Sequence, residues 1–238
     1  MSIIYINPYQ FAAAAGPTDP NFANVSLLLH GDGTNGSTTI IDNSPSPKTV
    51  TAVGNAQIST TQSKFGGASI AFDGTNDYLQ IPASSDFDFG TEDFTVEFWL
   101  YQTSANRYAT IIDVNYGTSP NFSFQRDLTL LKYSLYLNGT GTIIQETSLH
   151  SLNTWHHYAI VRNGTSANNV VIYRDGVNVG SGTYTGNAGN SSVTFNIGGS
   201  PVGPDFNGYI DDFRITKGVA RYTANFTPPT APFPEVLG

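Results

Sequence analysis

Aspartates in turn-rich loops are the residues of this sequence best suited to hold a ligand directly. Their carboxylates, with the backbone and amide oxygens of such loops, are the ligands that a hard cation such as calcium prefers. The candidates, from the segments HGDG, IIDNS, FDGTND and YIDDF, are Asp32, Asp42, Asp73, Asp77 and Asp211. Asp-Gly and Asp-Asn pairs are also common turn formers, so the structural alternative stays open. Asp211 and Asp212 are adjacent, so only one of them can face a given site on a regular strand.

Tyrosines in or beside predicted loops are the second group of candidates. A sugar binds with its flat face on an aromatic ring, while Asn, Asp and backbone groups bind its hydroxyls. The candidates for a glycan site are Tyr108, Tyr116, Tyr133, Tyr184 and Asn187. The alternative for each of them is an ordinary place on the surface or in the core. Trp99 and Trp155 alternate with core positions of predicted strands, which favours a structural role for both.

The histidines do not indicate a catalytic site. His156 and His157 are adjacent, so they point to opposite faces of a strand and cannot both bind one metal ion through a shared face. A catalytic histidine would also need a nucleophile and an orienting acid, and no spacing in the sequence indicates such a triad. Packed or hydrogen-bonded histidines are therefore predicted.

Residues 154–180 indicate most clearly which elements position these side chains. Trp155–Arg162 alternates between two faces that are both substantially apolar, as in a strand within a two-layer sheet packing. Asp175-Gly176, between two strand-like runs, predicts a type I′ turn and a tight hairpin. Other short strand-like runs recur along the chain without a helix-length segment between them, so antiparallel sheets are expected.

Length and composition favour one large all-β domain with flanking segments. We expect a domain over residues 23–226, an N-terminal arm and linker over residues 1–22, and a proline-rich tail over residues 227–238. Charged residues make up only 12% of the chain and glycine occurs 24 times, which is typical of a turn-rich β protein. The net charge of −8, with only ten Lys and Arg, argues against a nucleic-acid partner. No apolar stretch approaches membrane-spanning length.

Several segments occur in a distinctive order over about residues 24–226. They are SLLLHGDGTNG, KFGGASIAFDGTNDYLQIP, FDFGTEDFTVEFWLY, NTWHHYAIVRNG, VVIYRDGVNVG and FNGYIDDFRITKGVARYT. This order resembles the laminin G-like branch of the concanavalin A-like lectin/glucanase superfamily. The resemblance implies a two-sheet antiparallel jelly-roll sandwich, frequently with a calcium ion, that binds glycans or other proteins. The ending GVARYTANFTPPTAPFP resembles domains carried by structural proteins of tailed bacteriophages.

The hydrolytic glucanases of that superfamily carry a Glu-x-Asp-x-(x)-Glu motif on one strand, which brings nucleophile and acid to the same face. This sequence lacks the motif, because Glu97 has no neighbouring acid on its strand. Asp86 and Asp88 lie between phenylalanines in a predicted loop, where turn capping is the favoured role. We therefore expect a protein that is not an enzyme. A hydrolase or lyase, which would depend on Glu97, is kept as a third hypothesis.

These inferences predict a virion structural or adhesion protein of a bacteriophage, made in the bacterial cytoplasm, as a capsid decoration or part of a head or tail fibre. The sandwich would contact host surface polysaccharide. The arm would bind other virion proteins, unless it is an edge strand of its own domain, and its anchor residues would be Ile3, Ile4, Tyr5, Ile6, Tyr9 and Phe11. A secreted bacterial carbohydrate-binding module or adhesin is the alternative, although the first residues do not resemble a signal peptide. Homo-oligomerisation stays open.

Overall fold

The computed structural model describes residues 18–104, 109–115, 118, 121–126, 132–138, 141–201 and 206–236. Within these residues the regular structure consists of β-strands and two single 3-10 turns, Phe22–Asn24 and Ser85–Phe87. The strands, in chain order, are β1 (Val25–Leu29), β2 (Thr39–Ile40), β3 (Val50–Val53), β4 (Gln57–Ser59), β5 (Ser69–Asp73), β6 (Tyr78–Ile81), β7 (Asp88–Gly90), β8 (Phe94–Gln102), β9 (Ala109–Val114), β10 (Phe122–Arg126), β11 (Tyr133–Asn138), β12 (Gly141–Gln145), β13 (Trp155–Arg162), β14 (Val170–Arg174), β15 (Val177–Gly182), β16 (Ala188–Gly189), β17 (Phe195–Ile197) and β18 (Asn207–Lys217).

The strands form two large antiparallel sheets. Sheet A has the order β15-β14-β13-β8-β18-β5-β4, and β1 also pairs with β18. Sheet B has the order β12-β11-β10-β9-β17-β6-β3-β2, and β16 pairs with β7 in a separate two-stranded sheet. The prediction of an all-β, two-sheet antiparallel sandwich is confirmed. No helix in the described part of the chain is long and apolar enough to cross a membrane.

The inner faces of the two sheets share one core that is rich in phenylalanine. On β8, alternate residues point inward and are buried, namely Phe94, Val96, Phe98 and Leu100. Phe98 stacks on Phe213 of β18 with 5.4 Å between ring centroids and on Tyr158 of β13 with 5.8 Å. Each fully buried side chain of this size contributes about 1.5–3 kcal/mol to folding, so β8 is the central support of sheet A.

The loop before β8 closes one end of the core. Phe87 and Phe89 are buried there and stack against Phe195 and Phe94, with centroid distances of 4.7 and 4.8 Å. Asp88, between them, accepts a hydrogen bond from the backbone N–H of Gly90. The turn-capping role of Asp88 agrees with the sequence prediction.

The predicted hairpin between β14 and β15 is confirmed. Asp175 and Gly176 both have positive φ, 51° and 76°, as a type I′ turn requires. A Cβ atom at Gly176 would lie only 1.8 Å from the carbonyl oxygen of Phe226. The turn is therefore also the place where the C-terminal segment docks, through a 2.9 Å hydrogen bond from Phe226 N to Gly176 O.

The C-terminal segment covers much of the outer face of sheet A. Tyr222 and Phe226 pack against Ala159, Val161 and Tyr173, which explains why both faces of β13 are apolar. Farther along, Phe233 is buried against Val25 and Leu28 of β1. The backbone N–H of Asp19 donates to Val236 O at 2.8 Å. The described parts of the predicted arm and tail thus lie against the sandwich.

Candidate functional site

The outer face of sheet A contains a buried network of charges. Arg214 donates to Glu97 Oε1 through Nε at 3.0 Å and Nη2 at 2.7 Å, and Tyr222 donates to Glu97 Oε2 at 2.8 Å. Asp19 joins this network through Arg214 and Arg221, at 3.1 and 2.7 Å. Burial alone would raise the pKa of Glu97, but the adjacent Arg214 and His157 outweigh it and hold that pKa well below its usual range.

Glu97 is therefore a permanently ionised, fully buried carboxylate that the C-terminal segment covers. A general acid needs a proton to donate near neutral pH and access to a substrate. Glu97 has neither, so its geometry is that of a structural ion pair.

The two adjacent histidines point to opposite sides of β13, as predicted. His157 is fully buried beside Trp99, with 5.2 Å between ring centroids. His156 is held by Asp175 Oδ2 at 2.6 Å from Nδ1 and by Ser151 Oγ at 2.9 Å from Nε2. Both are packed or hydrogen-bonded side chains.

The outer face of sheet B carries a straight line of hydrogen-bonding side chains. Residues in direct register across seven neighbouring strands, β2-β3-β6-β17-β9-β10-β11, form what we call the polar row: Thr39, Thr51, Gln80, Asn196, Asp113, Ser123 and Tyr136. Their sequence neighbours, such as Leu79 and Ile81 or Phe195 and Ile197, point into the core. Because side chains alternate along a strand, the row lies on the outward face.

A second, shorter line runs beside the polar row. Thr110, Gln125, Ser134 and Gln145 are in register on β9 to β12. Gln145 Nε2 donates to Ser134 Oγ at 3.0 Å, and in the polar row Ser123 Oγ donates to Asp113 Oδ1 at 3.1 Å. The outer face of sheet B thus carries aligned hydroxyl, amide and carboxylate groups, which are exposed at Thr39 and Thr51 and buried at the centre, at Thr110, Ser123 and Asn196.

Two oxygen atoms in these lines stand out. Asn196 Oδ1 and Thr110 Oγ1 are buried, and neither has a hydrogen-bond partner within the described part of the chain. A buried polar atom left without a partner costs about 1–3 kcal/mol, so native proteins keep few of them. A bound water can supply such a missing hydrogen bond and connect the buried atom to a ligand.

The predicted glycan-binding residues occupy different environments. Tyr133 is fully buried, stacks on Phe124 with 4.9 Å between centroids and donates to Gln102 Oε1, so it presents no surface to a sugar. Tyr184 and Asn187 are close together, and the Tyr184 hydroxyl donates to Asn187 O at 2.8 Å. Tyr108 and Tyr116 lie outside the described residues, as do the predicted anchor residues of the arm.

Three of the predicted metal ligands form turns. Asp42 accepts hydrogen bonds from the backbone N–H groups of Leu28, Ser44 and Lys48. Asp77 accepts them from Asn55 and Asp73 in the same way, and Asp73 Oδ1 accepts one from Thr75 N. Across the described ranges, no group of three or more His, Asp or Glu side chains could hold a metal ion.

Two pairs of predicted ligands lie near one another, namely Asp73 with Asp77 and Asp32 with Asp211. Asp211 Oδ2 accepts hydrogen bonds from Lys64 N and Phe65 N, at 2.7 and 3.1 Å. Burial, and then the neighbouring Asp212 and Asp32, raise the pKa of Asp211 to about 7. Asp32 lies against Gly66, where a Cβ atom would be 1.8 Å from its Oδ1. The carboxylates of Asp211, Asp212 and Asp32 therefore repel one another here.

A bulge in β18 corrects the expectation of a regular strand at Asp211 and Asp212. Asp212 has a φ of 52°, and the register with β8 shifts between Asp211 and Arg214. Asp212 therefore accepts a hydrogen bond from Phe233 N and pairs with His30, while Asp211 faces residues 64–65.

Sequence reasoning did not identify the polar row. Its members are single polar residues within short apolar strands, such as Gln80 in YLQI and Asn196 in FNI. The alternation in each strand was a usable signal for an outward polar side chain, but only the strand register aligns these positions.

The comparisons with known proteins agree with this architecture. A family profile, Laminin_G_3, described as concanavalin A-like lectin/glucanases superfamily, matches residues 73–221, which is more than half of the chain. The chain belongs to this superfamily. A comparison with curated proteins found no match.

Several solved domains share the fold. Domain 4 of AbnA, a GH43 extracellular arabinanase from Geobacillus stearothermophilus solved with arabinotriose, is 18% identical, with a TM-score of 0.60 over 83% of this chain and 94% of that one. The binding domain of Paraclostridial Mosquitocidal Protein 1 is 18% identical, with a TM-score of 0.61 over 82% and 49%. The binding domain of Botulinum Neurotoxin DC, solved with SialylT, is 19% identical, with a TM-score of 0.57 over 83% and 49%. The chain thus spans nearly all of the arabinanase domain and about half of the toxin domains.

Proposed function

We propose that this chain is a non-enzymatic glycan-binding domain and that the outer face of sheet B binds the glycan. The observation that carries the proposal is the pair of buried oxygens without donors, Asn196 Oδ1 and Thr110 Oγ1, within a face of aligned polar groups. A glycan suits this face because each sugar hydroxyl both donates and accepts hydrogen bonds. Tyr136 adds an aromatic ring at one end of the polar row.

The similar domains support binding over catalysis. One of them was solved in complex with arabinotriose and another in complex with SialylT, and two are described as binding domains. The charge network around Glu97 supports the same choice, because it leaves that carboxylate ionised, paired and covered.

We further propose that the domain belongs to a bacteriophage virion, as a capsid decoration or part of a head or tail fibre, and contacts host surface polysaccharide. The sequence resemblance of its ending to phage structural proteins supports this proposal. Residues 1–17 would provide the contact with other virion proteins, starting beside Asp19, which Arg214 and Arg221 hold to the domain. A secreted bacterial binding module is the second candidate, which the likeness to a domain of an extracellular arabinanase favours.

For calcium, the described residues offer a pair of carboxylates and no group of three or more acids or histidines. The Asp211 carboxylate is 1% exposed and repelled by Asp212 and Asp32, so a cation would relieve that repulsion. We propose that Asp32 and Asp211 would hold the ion and that backbone or water oxygens would complete its shell. When bound, calcium would neutralise this cluster and stabilise the fold.

The binding proposal is tested with fluorescently labelled protein on host-type bacterial cells and on polysaccharide extracted from them. Wild type should bind saturably and be competed by the free polysaccharide. Thr110→Val removes only the unpaired hydroxyl, so it should lower affinity at least tenfold without loss of stability.

Thr95→Val is the matched control on the opposite sheet. The Thr95 hydroxyl donates to Val219 O and accepts from Arg221 N, each at 2.9 Å, so this variant should lose stability and keep its affinity. Equal affinity of Thr110→Val and wild type would contradict the proposed binding face. Absence of any sugar-competed binding by folded protein would contradict glycan binding altogether.

The virion proposal is tested by deleting residues 1–17, which leaves Asp19 and its ion pairs in place. The shortened chain should fold, as judged by circular dichroism, and should no longer be incorporated into particles. Normal incorporation would mean that the arm is not the anchor.

A further inference from the structure

A cleft of about 330 Å³ opens on the outer face of sheet A, on the opposite side of the sandwich from the polar row. Its floor is formed by side chains of β13 and β14, its rim by the loop between these strands, and one wall by the C-terminal segment. Among the residues that line it are Asn163, Ser166, Asn168, Val171, Tyr173 and Tyr222.

The rim loop is fixed by hydrogen bonds of its own backbone. Asn163 N donates to Asn169 O at 2.8 Å, and Gly164 N donates to Asp93 Oδ1 at 2.6 Å. The Asn169 amide donates to Gly164 O at 2.7 Å and to Tyr184 O at 2.9 Å. The rim is therefore formed before any ligand arrives, which lowers the entropic cost of binding.

The wall formed by the C-terminal segment is equally well held. Tyr222 stacks on Phe226 with 3.6 Å between ring centroids and an angle of 7°. The Tyr222 hydroxyl is tied to Glu97, and Phe226 N is tied to Gly176 O. An aromatic ring thus stands at a fixed position beside the apolar floor.

Several polar groups at the cleft have no hydrogen-bond partner among the described residues. Tyr173 is 4% exposed, and its hydroxyl makes no hydrogen bond with any described residue. In the rim, the side chains of Asn163, Ser166 and Asn168 are exposed and likewise make none with the described part of the chain. These hydroxyl and amide groups are available to a ligand.

The charges at the cleft restrict the kind of ligand. None of the described residues that line it is an acid or a base. The nearby Arg162 guanidinium donates instead to the carbonyl oxygens of Gly90, Gly186 and Tyr184. A charged ligand would leave water without meeting a counter-charge in the lining. A neutral sugar would lose only its hydrogen bonds to water, which the amides and hydroxyl of the rim would replace.

We propose that this cleft is a second binding site and that it takes a neutral sugar residue. The C–H face of the sugar would lie against Val171 and the half-buried Tyr222, and its hydroxyls would meet the Tyr173 hydroxyl, the rim amides and Ser166. The volume is at the small end of ligand pockets, which range over about 300–1,000 Å³, so it suits a single residue or chain end. The site shares no residue with the polar row, and one domain would hold two glycan strands on opposite faces.

The test uses the full chain and saturation-transfer NMR with D-glucose, D-galactose, N-acetylglucosamine and D-glucuronate as probes. At least one neutral sugar should bind, and glucuronate should bind at least tenfold more weakly. Ser166→Arg places a long side chain in the cleft and should weaken binding at least tenfold. Thr165→Arg adds the same charge one residue earlier, where the side chain does not line the cleft, and should bind as wild type. Both positions are exposed, so neither variant should perturb folding.

Tyr173→Phe tests the floor more gently, because it removes only the unpaired hydroxyl, and it should weaken binding several-fold. The proposal is overturned if Ser166→Arg and Thr165→Arg bind alike, if glucuronate binds as well as the neutral sugars, or if no neutral sugar binds at millimolar concentration. Thr110→Val separates the two sites and should leave binding in the cleft unchanged. Loss of all binding in Thr110→Val alone would support the polar row and refute the cleft.

Discussion

Arg214 and Glu97, 117 positions apart in the sequence, form a buried ion pair in which two guanidinium nitrogens donate to one carboxylate oxygen. The side chains are 5% and 0% exposed, and the C-terminal segment and Asp19 surround them. The pair joins β8 and β18, the two central strands of sheet A, to both ends of the described chain. This relationship gives an acid on a central strand a role in holding the fold together.

Glu97→Gln should lower the free energy of unfolding by about 3 to 5 kcal/mol, because it leaves Arg214 buried without its counter-charge. Urea denaturation at pH 7 measures this change. Asp86→Asn is the control, since it removes only the more exposed Lys48–Asp86 pair and should cost less than about 1 kcal/mol. An equal loss of unfolding free energy in the two variants would contradict the prediction that the buried pair stabilises the fold more than the exposed pair.

His150 should make the protein less stable in mild acid. Burial, and then the nearby Arg126, His156 and Arg174, lower the pKa of His150 to about 3. A depressed histidine pKa gives stability that is full above pH of about 6.5, where the unfolded histidine is also neutral, and that is lost as the pH falls toward 3. Thermal melts of wild type and His150→Gln between pH 7.5 and 5 should therefore diverge, with the wild type falling more steeply. Parallel curves would refute this role.

Gly176→Ala should detach the C-terminal segment. The new methyl group would collide with Phe226 O, in addition to the cost of about 1–2 kcal/mol for a non-glycine residue at positive φ. Gly67→Ala carries the same kind of backbone cost with no atom within 4 Å of the new methyl group. Only Gly176→Ala should speed tryptic cleavage after Arg221, and cleavage at the wild-type rate would contradict the docking described here.

Calcium should raise the melting temperature of wild type, and chelation should reverse the rise. Asp211→Asn should abolish this response, because it removes one of the two carboxylates proposed to hold the ion. Asp73→Asn should respond as wild type, since Asp73 belongs to a separate turn. An unchanged melt of wild type with calcium and with chelator would remove the metal proposal.

The turns of the fold could be predicted because they depend on neighbouring residues. The polar row could not, because it depends on the register between distant strands. Asp175-Gly176 predicts its turn because two adjacent residues determine the backbone there. The polar row could not be predicted because residues as distant as Thr39 and Asn196 align only through the pairing of four strands, β2, β3, β6 and β17. The bulge at Asp212 was equally invisible, because a positive φ at an aspartate within a strand leaves no mark in the sequence pattern.

Buried polar contacts were the other limit on sequence reasoning. The sequence predicts Tyr133 in or beside a loop, yet its place at the start of β11 turns the ring into the core beside Phe124. Asp19 was assigned to the arm, yet it pairs with Arg214 from 195 positions away. The burial of Tyr133 and the pairing of Asp19 both depend on residues that are distant in the sequence, so neighbouring residues could not predict them.

The most direct measurement of the binding proposal is a titration of isotope-labelled protein with oligosaccharides cut from host surface polysaccharide, followed by NMR. The account predicts saturable shifts centred on the side-chain amide of Asn196 and on the backbone of Gln80, Asp113 and Ser123. Shifts confined to the cleft between β13, β14 and the C-terminal segment would leave only the second site. Shifts absent from both faces at saturating oligosaccharide would contradict the central claim that this domain binds glycans.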